Sequence, residues 1–157
     1  MSQDFGTAIL LVEDNEDDVF VMERALRRAR INNPLRIVTD GQQAVDYLSG
    51  IGKYDRQSHP LPFIVFLDLK LPYVDGFEVL NWMRLQPQLR SVVVVILTSS
   101  AEERDHQRAY ALGARSYLVK PPTPQMVQDV FDSLKSYWLA KSASLPVLKE
   151  PASCCEI

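Results

Sequence analysis

Two uninterrupted apolar runs of this chain end in carboxylates. Ala8-Ile-Leu-Leu-Val12 is followed by Glu13 and Asp14, and Phe63-Ile-Val-Phe-Leu67 by Asp68. Val92-Val-Val-Val-Ile-Leu97 ends in Thr98, and Ser116-Tyr-Leu-Val119 ends in Lys120. Three carboxylates brought together repel and raise one another's pKa unless a cation neutralises them. Hard oxygen ligands without His or Cys favour Mg²⁺, which binds through one or two carboxylates, waters and a phosphate oxygen. Lys120 adds a mobile point charge suited to a phosphoryl oxygen, and Thr98 adds a hydroxyl donor. Asp68 is then a candidate nucleophile forming an aspartyl phosphate. Taken singly, Glu13-Asp14 would cap a helix, Thr98 would be a turn residue and Lys120 a solvated lysine. Asp68 is harder to dismiss, because an acid closing a wholly apolar strand needs a partner. Four such strand ends on one edge are more specific than any of them alone.

The elements that must position these residues follow from periodicity. Continuous apolar runs of this length read as strands buried on both faces. After the first, Asn15 or Asp14 suits an N-cap, and Glu16, Asp17 and Asp18 suit the first helical turn. Val19, Met22, Leu26 and Ala29 recur at helical spacing, and Arg24, Arg27, Arg28 and Arg30 form a solvated face. Asn32-Asn33-Pro34 breaks that helix. Leu35 to Thr39 reads as a strand, and a helix carrying Ala44, Val45 and Leu48 ends at Ser49-Gly50-Ile51-Gly52. Lys53 to Pro62 is a polar connection longer than usual, in which His59 is assigned no role. Phe77, Val79, Leu80, Met83 and Leu85 mark a third helix, and a short fourth runs from about Glu102 to Leu112, stopping at Gly113. Thr123 caps a last helix with Val127, Val130, Phe131, Leu134 and Trp138 inward; Met126 and Tyr137 lie on its other flank. The order βαβαβαβαβα implies a doubly wound α/β fold, with a five-stranded parallel sheet and helices on both faces. Asp68 then stands at the carboxyl end of a central strand, where such sheets place their chemistry.

Bulk properties narrow the classes. At 157 residues, 46% of them hydrophobic and 24% charged, the chain reads as one globular domain. A formal charge of −3 gives no general attraction for nucleic acid or anionic membrane. No apolar run approaches a membrane span, no signal peptide opens the chain, and a cytoplasmic location is expected. Cys154 and Cys155 are adjacent and offer no disulfide framework. The ending Cys154-Cys155-Glu156-Ile157 fits a prenylation box only formally, since Glu156 is not aliphatic. A dinucleotide fingerprint and a Walker A sequence are both missing.

The motif set resembles the receiver domain of two-component response regulators, from about Ile9 to Tyr137. It comprises the acidic pair after the first strand, Asp68 followed by Leu-x-Leu-Pro and Asp75-Gly76, Thr98-Ser99, and Tyr117 with Lys120-Pro121. The resemblance implies a flavodoxin-like sheet of order 2-1-3-4-5. It also implies that Asp68 accepts a phosphoryl group from a histidine kinase. Mg²⁺ would be held by Asp14, Asp68 and the backbone carbonyl of Lys70, with Glu13 helping through water. Thr98 and Lys120 would grip the phosphoryl oxygens, Tyr117 would be the aromatic switch moving with Thr98, and the Lys120-Pro121 bond would be cis.

The Gly50 to Pro62 connection, with its Gly-x-Gly-x-Tyr, is similar to that of cyanobacterial phytochrome-associated response regulators. That resemblance implies a light-regulated phytochrome kinase and a homodimer through the face of helix four, strand five and helix five, to which Met126, Val130 and Tyr137 would contribute. The expected organisation is an N-terminal extension over 1–7, a receiver domain over 8–140 and a flexible tail over 141–157. That tail is far short of the ~50 residues of a small domain, so a stand-alone signalling module is expected rather than an enzyme. Its only chemistry would be its own phosphorylation and dephosphorylation. Two rivals fit less well. An aspartyl-phosphate phosphohydrolase places an Asp two residues after its nucleophile, where Lys70 stands, and a flavodoxin-like FMN carrier would not place Glu13-Asp14-Asn15 against a phosphate.

Overall fold

A computed structural model describes residues 8–143, with side chains described to Lys135. Five parallel strands, β1 (Ile9–Val12), β2 (Leu35–Val38), β3 (Ile64–Leu67), β4 (Val93–Thr98) and β5 (Ser116–Val119), form one sheet in the order β2-β1-β3-β4-β5. The helices are α1 (Glu16–Arg28), α2 (Gly41–Ser49), α3 (Gly76–Arg84), α4 (Glu103–Ala111) and α5 (Pro124–Ala143).

The unbroken apolar runs have their cause in this layering. Alternate residues of each central strand enter two different cores. Leu10, Val12, Val65, Leu67, Val94 and Ile96 meet α2 and α3 through Ala44, Leu48, Val79, Leu80 and Met83. Ile9, Leu11, Ile64, Phe66, Val95 and Leu97 meet α1 and α5 through Met22, Leu26, Val127, Val130 and Leu134. A strand with helices on both sides has no solvent face, so polar alternation has no place in it.

Register carries the chemistry to one level. Val12 of β1 pairs with Leu67 of β3, so Glu13 and Asp68 leave adjacent strands side by side. Thr98 pairs with Val119, which places Lys120 one residue beyond it. The helix ends that face this edge are individually capped. Asn15 accepts from the N–H of Asp18 (3.0 Å), and Asp40 accepts from the N–H of Gln43 (2.8 Å). At α3, Asp75 and Glu78 form a reciprocal capping box. Met126 N–H donates to the hydroxyl of Thr123, the cap expected at α5 (3.1 Å).

Several expectations need correction. Phe63 lies just outside β3 and is half-buried, its N–H donating to Ala8 O. Leu85 does not belong to the core: it follows α3 as its C-cap and is 62% exposed, and a 3-10 turn at Pro87–Leu89 comes next, burying Leu89 instead. The connection after α2 is not merely polar. The Arg56 guanidinium donates to the carbonyls of Tyr47 and Leu48, closing the C-terminal end of α2, and also to His59 O. Tyr47, Tyr54 and His59 pack ring to ring at 5.2–5.7 Å, which gives His59 a structural place the sequence did not suggest. Val130 is 5% exposed and spent in the α1–α5 core, so it offers little to a partner. The Tyr137 and Trp138 side chains, and the Cys154-Cys155 tail, lie outside the described residues.

Gly76 opens α3 directly against the loop that follows β3. A Cβ there would stand 2.2 Å from Asp68 O and 2.5 Å from Leu69 Cα, both backbone atoms that cannot step aside. Gly76→Ala is therefore expected to destabilise the fold by about 1–3 kcal/mol, as overpacking does. Urea denaturation would read this as a lowered midpoint with unchanged slope.

Candidate functional site

Lys120 stands where β1, β3 and β5 end, and its ammonium is the charge around which the site closes. Its Nζ lies 2.6 Å from Glu13 Oε1, 2.8 Å from Asp18 Oδ2 and 3.0 Å from Asp68 Oδ2. The side chain is 11% exposed, and those of Glu13 and Asp68 are 2% and 9% exposed. Charges this far from water persist only when paired. The peptide bond from Lys120 to Pro121 is cis, as expected.

Asp68 is held at both oxygens. Oδ2 accepts from Lys120, and Oδ1 accepts from the backbone N–H of exposed Lys70 at 3.2 Å. Its own N–H donates to Val12 O, the parallel-sheet bond that fixes it beside Glu13. Glu13 spends its second oxygen on Asn15 N–H (3.2 Å).

The electrostatics are unbalanced in favour of negative charge. Burial raises the pKa of Glu13, and the neighbouring Asp68 adds to the rise; Lys120 and the Asn15 N–H only partly oppose it. Burial would lower the pKa of Lys120, yet hydrogen bonds to Asp18, Glu13 and Asp68 outweigh it and hold the ammonium charged. The two upward shifts have different causes: burial disfavours the Glu13 carboxylate, and three carboxylates favour the Lys120 ammonium.

Glu13, Asp14 and Asp68 each offer a carboxylate oxygen within 4.8 Å of the others, with Asp14 exposed at the open side. An all-oxygen donor set beside a buried, under-compensated carboxyl fits a hard divalent cation. These three are the acids named from the sequence.

Thr98 is fully buried rather than a solvated turn residue. Its hydroxyl accepts from Ser100 N–H (3.4 Å), and its carbonyl takes Lys120 N–H (2.8 Å). Tyr117, half-buried, donates its hydroxyl to Ser100 O at 3.0 Å. Its ring stacks on His106 of α4, with centroids 4.6 Å apart and planes at 11°. Burial raises the Tyr117 pKa, and Asp105, Glu102 and Asp68 reinforce the effect.

Ser100 thus joins the two expected switch residues, one through its N–H and one through its carbonyl. Its own hydroxyl is turned to Asp105 (2.7 Å). Asp18 was missed altogether as a partner of Lys120, since an acid in a first helical turn is adequately explained by the helix dipole.

Beside Tyr117, a groove of about 290 Å³ runs between β5 and α5, lined by Tyr110, Tyr117, Leu118, Met126 and Val130 together with the polar Ser116, Asp129 and Ser133.

With this geometry, the chain belongs to the response regulator receiver domain family, whose model matches residues 9–132. Among its relatives, it is 38% identical to the probable methanogenesis regulatory protein FilR2 of Methanothrix harundinacea, over 87% of this chain and 86% of that protein. It is 35% identical to the response regulator Rcp1 of Synechocystis, over 88% and 92%. Of solved structures, the bacteriophytochrome response regulator RtBRR superimposes with a TM-score of 0.75 at 42% identity, covering 83% of this chain and 78% of that one. The Mn²⁺-bound form of Rcp1 superimposes with a TM-score of 0.69 at 33% identity, covering 93% and 99%. The chain is therefore a receiver domain similar to phytochrome-associated regulators.

The raised Glu13 pKa fixes the sign of a pH effect. Between the unfolded and folded pKa values, the folded state binds the extra proton, so the contribution of this group to stability falls as pH rises through that window. Glu13→Gln removes the titration. Thermal melts in EDTA from about pH 4.5 upward should show a shallower fall of Tm with pH for the variant than for the parent.

Proposed function

We propose that this chain is a phosphorylation-controlled response regulator that accepts a phosphoryl group on Asp68 from a histidine kinase. The observation that carries this reading is the placement of Asp68: a carboxylate at the end of a central strand, hydrogen-bonded to a buried lysine and flanked by Glu13 and Asp14. One Asp68 oxygen attacks phosphorus, a P–O bond forms, the P–N bond of a phosphohistidine breaks, and the imidazole leaves with the electron pair.

Mg²⁺, held by Asp14, Asp68 and the backbone carbonyl of Lys70 with Glu13 acting through water, would neutralise charge on the phosphoryl oxygens. Lys120 already points an N–H at Asp68 and turns it to one phosphoryl oxygen. Thr98 leaves its contact with Ser100 and donates to another. Because Ser100 also receives the Tyr117 hydroxyl, movement at Thr98 reaches Tyr117 through one shared residue. The β5–α5 groove then changes shape with the ring.

Such a protein is a signalling module, and its catalysis is confined to its own phosphorylation and the hydrolysis of its own phosphoaspartate. A phytochrome-type light sensor as the kinase is supported by the likeness to the bacteriophytochrome response regulator RtBRR. The receiver unit is assigned to residues 8–140, with 1–7 and 141–157 as extensions, working in the cytoplasm. A homodimer through α4, β5 and α5 is supported by the groove beside Met126. With Val130 in the core, Met126, Leu118 and Tyr110 carry that face, and Tyr137 is assigned to it from the sequence alone.

Incubation with acetyl phosphate and Mg²⁺ should add one phosphoryl group by intact-mass analysis, and Asp68→Asn should acquire none. Equal labelling of the variant would overturn the assignment. In sedimentation, the parent should run at twice the monomer mass and Met126→Glu at the monomer mass; a monomeric parent removes the dimer.

A further inference from the structure

Asp18 occupies the third position of α1 behind the cap residue Asn15, whose side chain binds the Asp18 N–H. At α3, the residue in the same place, Glu78, returns its carboxylate to the cap backbone N–H. Asp18 does not. The Asn15 N–H is taken by Glu13 instead, and the Asp18 carboxylate turns to Lys120 at 2.8 Å. A local cap has been given up for a bond across 102 residues of sequence.

The Lys120 ammonium has three N–H donors, and three carboxylates surround it. Resting on the phosphoacceptor reading above, two of these change their engagement on activation: Asp68 becomes the acyl phosphate and Glu13 turns toward the cation. Asp18 lies outside the Glu13, Asp14 and Asp68 cluster and has no such second duty. We infer that Asp18 is a positioning residue that anchors the Lys120 ammonium while its other donors turn to the phosphoryl oxygens. Without the anchor, a long lysine must be ordered at the moment the phosphoryl group arrives, which costs side-chain entropy and weakens the bound state.

Beryllofluoride with Mg²⁺ serves as a phosphoryl mimic that needs no kinase, and Tyr117 reports its binding by NMR or fluorescence. Asp18→Ala should weaken beryllofluoride binding about tenfold, the equivalent of ~1.4 kcal/mol. Asp18→Asn, which keeps an acceptor, should recover part of the loss. In a Lys120→Ala background, the Asp18 substitution should have no further effect, because its influence passes through the lysine. A purely structural role would persist in that background and would overturn the inference, as would unchanged or tighter binding by Asp18→Ala. Failure of the parent protein itself to bind beryllofluoride would overturn the phosphoacceptor reading instead. Asp18→Asn also keeps the test intact if Asp18→Ala does not fold.

Discussion

One ammonium shared by three acids is the constraint on which the rest of this structure depends. Lys120 reaches Glu13, Asp18 and Asp68 within 3.0 Å while almost shielded from water. Removing one partner of a buried pair costs about 3–5 kcal/mol because the other charge is stranded. The site therefore needs the lysine even at rest. Three acids still face this one cation, and burial, reinforced by the neighbouring Asp68, raises the Glu13 pKa. The all-oxygen cluster of Glu13, Asp14 and Asp68 suits a hard divalent cation, and the proposed mechanism turns the lysine to a phosphoryl oxygen.

The fold serves this centre through register. Parallel strands end together, so Glu13 and Asp68 emerge as neighbours from β1 and β3, and Lys120 comes from the edge strand β5. Tight backbone approach at Gly76 holds the β3 end against α3. Side chains of different chemistry arrive at one point because β1, β3 and β4 are buried along their whole length and hold a fixed register with one another and with the partly buried β5.

Much of this was legible in the sequence, for physical reasons. Uninterrupted runs such as Phe63–Leu67, short and rich in β-branched and aromatic residues, read as doubly covered strands, and an acid at the end of such a run is unusual enough to mark a site. What stayed hidden depended on contacts distant in sequence. Asp18 satisfies every local rule for a first-turn acid, so nothing signalled its bond to Lys120. Ser100 looks like an ordinary loop serine until its N–H and carbonyl are found on Thr98 and Tyr117. Arg56, Tyr54 and His59 read as a polar loop because a guanidinium capping carbonyls of α2 leaves no periodic trace. Leu85 went the opposite way: helical spacing alone does not tell a terminal residue from a core one.

The central claim is that the lysine-centred cage directs phosphorylation to Asp68 alone. Borohydride reduces an acyl phosphate to the corresponding alcohol, so a phosphorylated Asp becomes homoserine and keeps a permanent mark. The direct measurement is peptide sequencing by mass spectrometry after phosphorylation and borohydride treatment. Homoserine at position 68 and at no other acid is the predicted result; homoserine at Asp14 or Asp18, or an unmarked Asp68 in protein that has taken up phosphate, would contradict it.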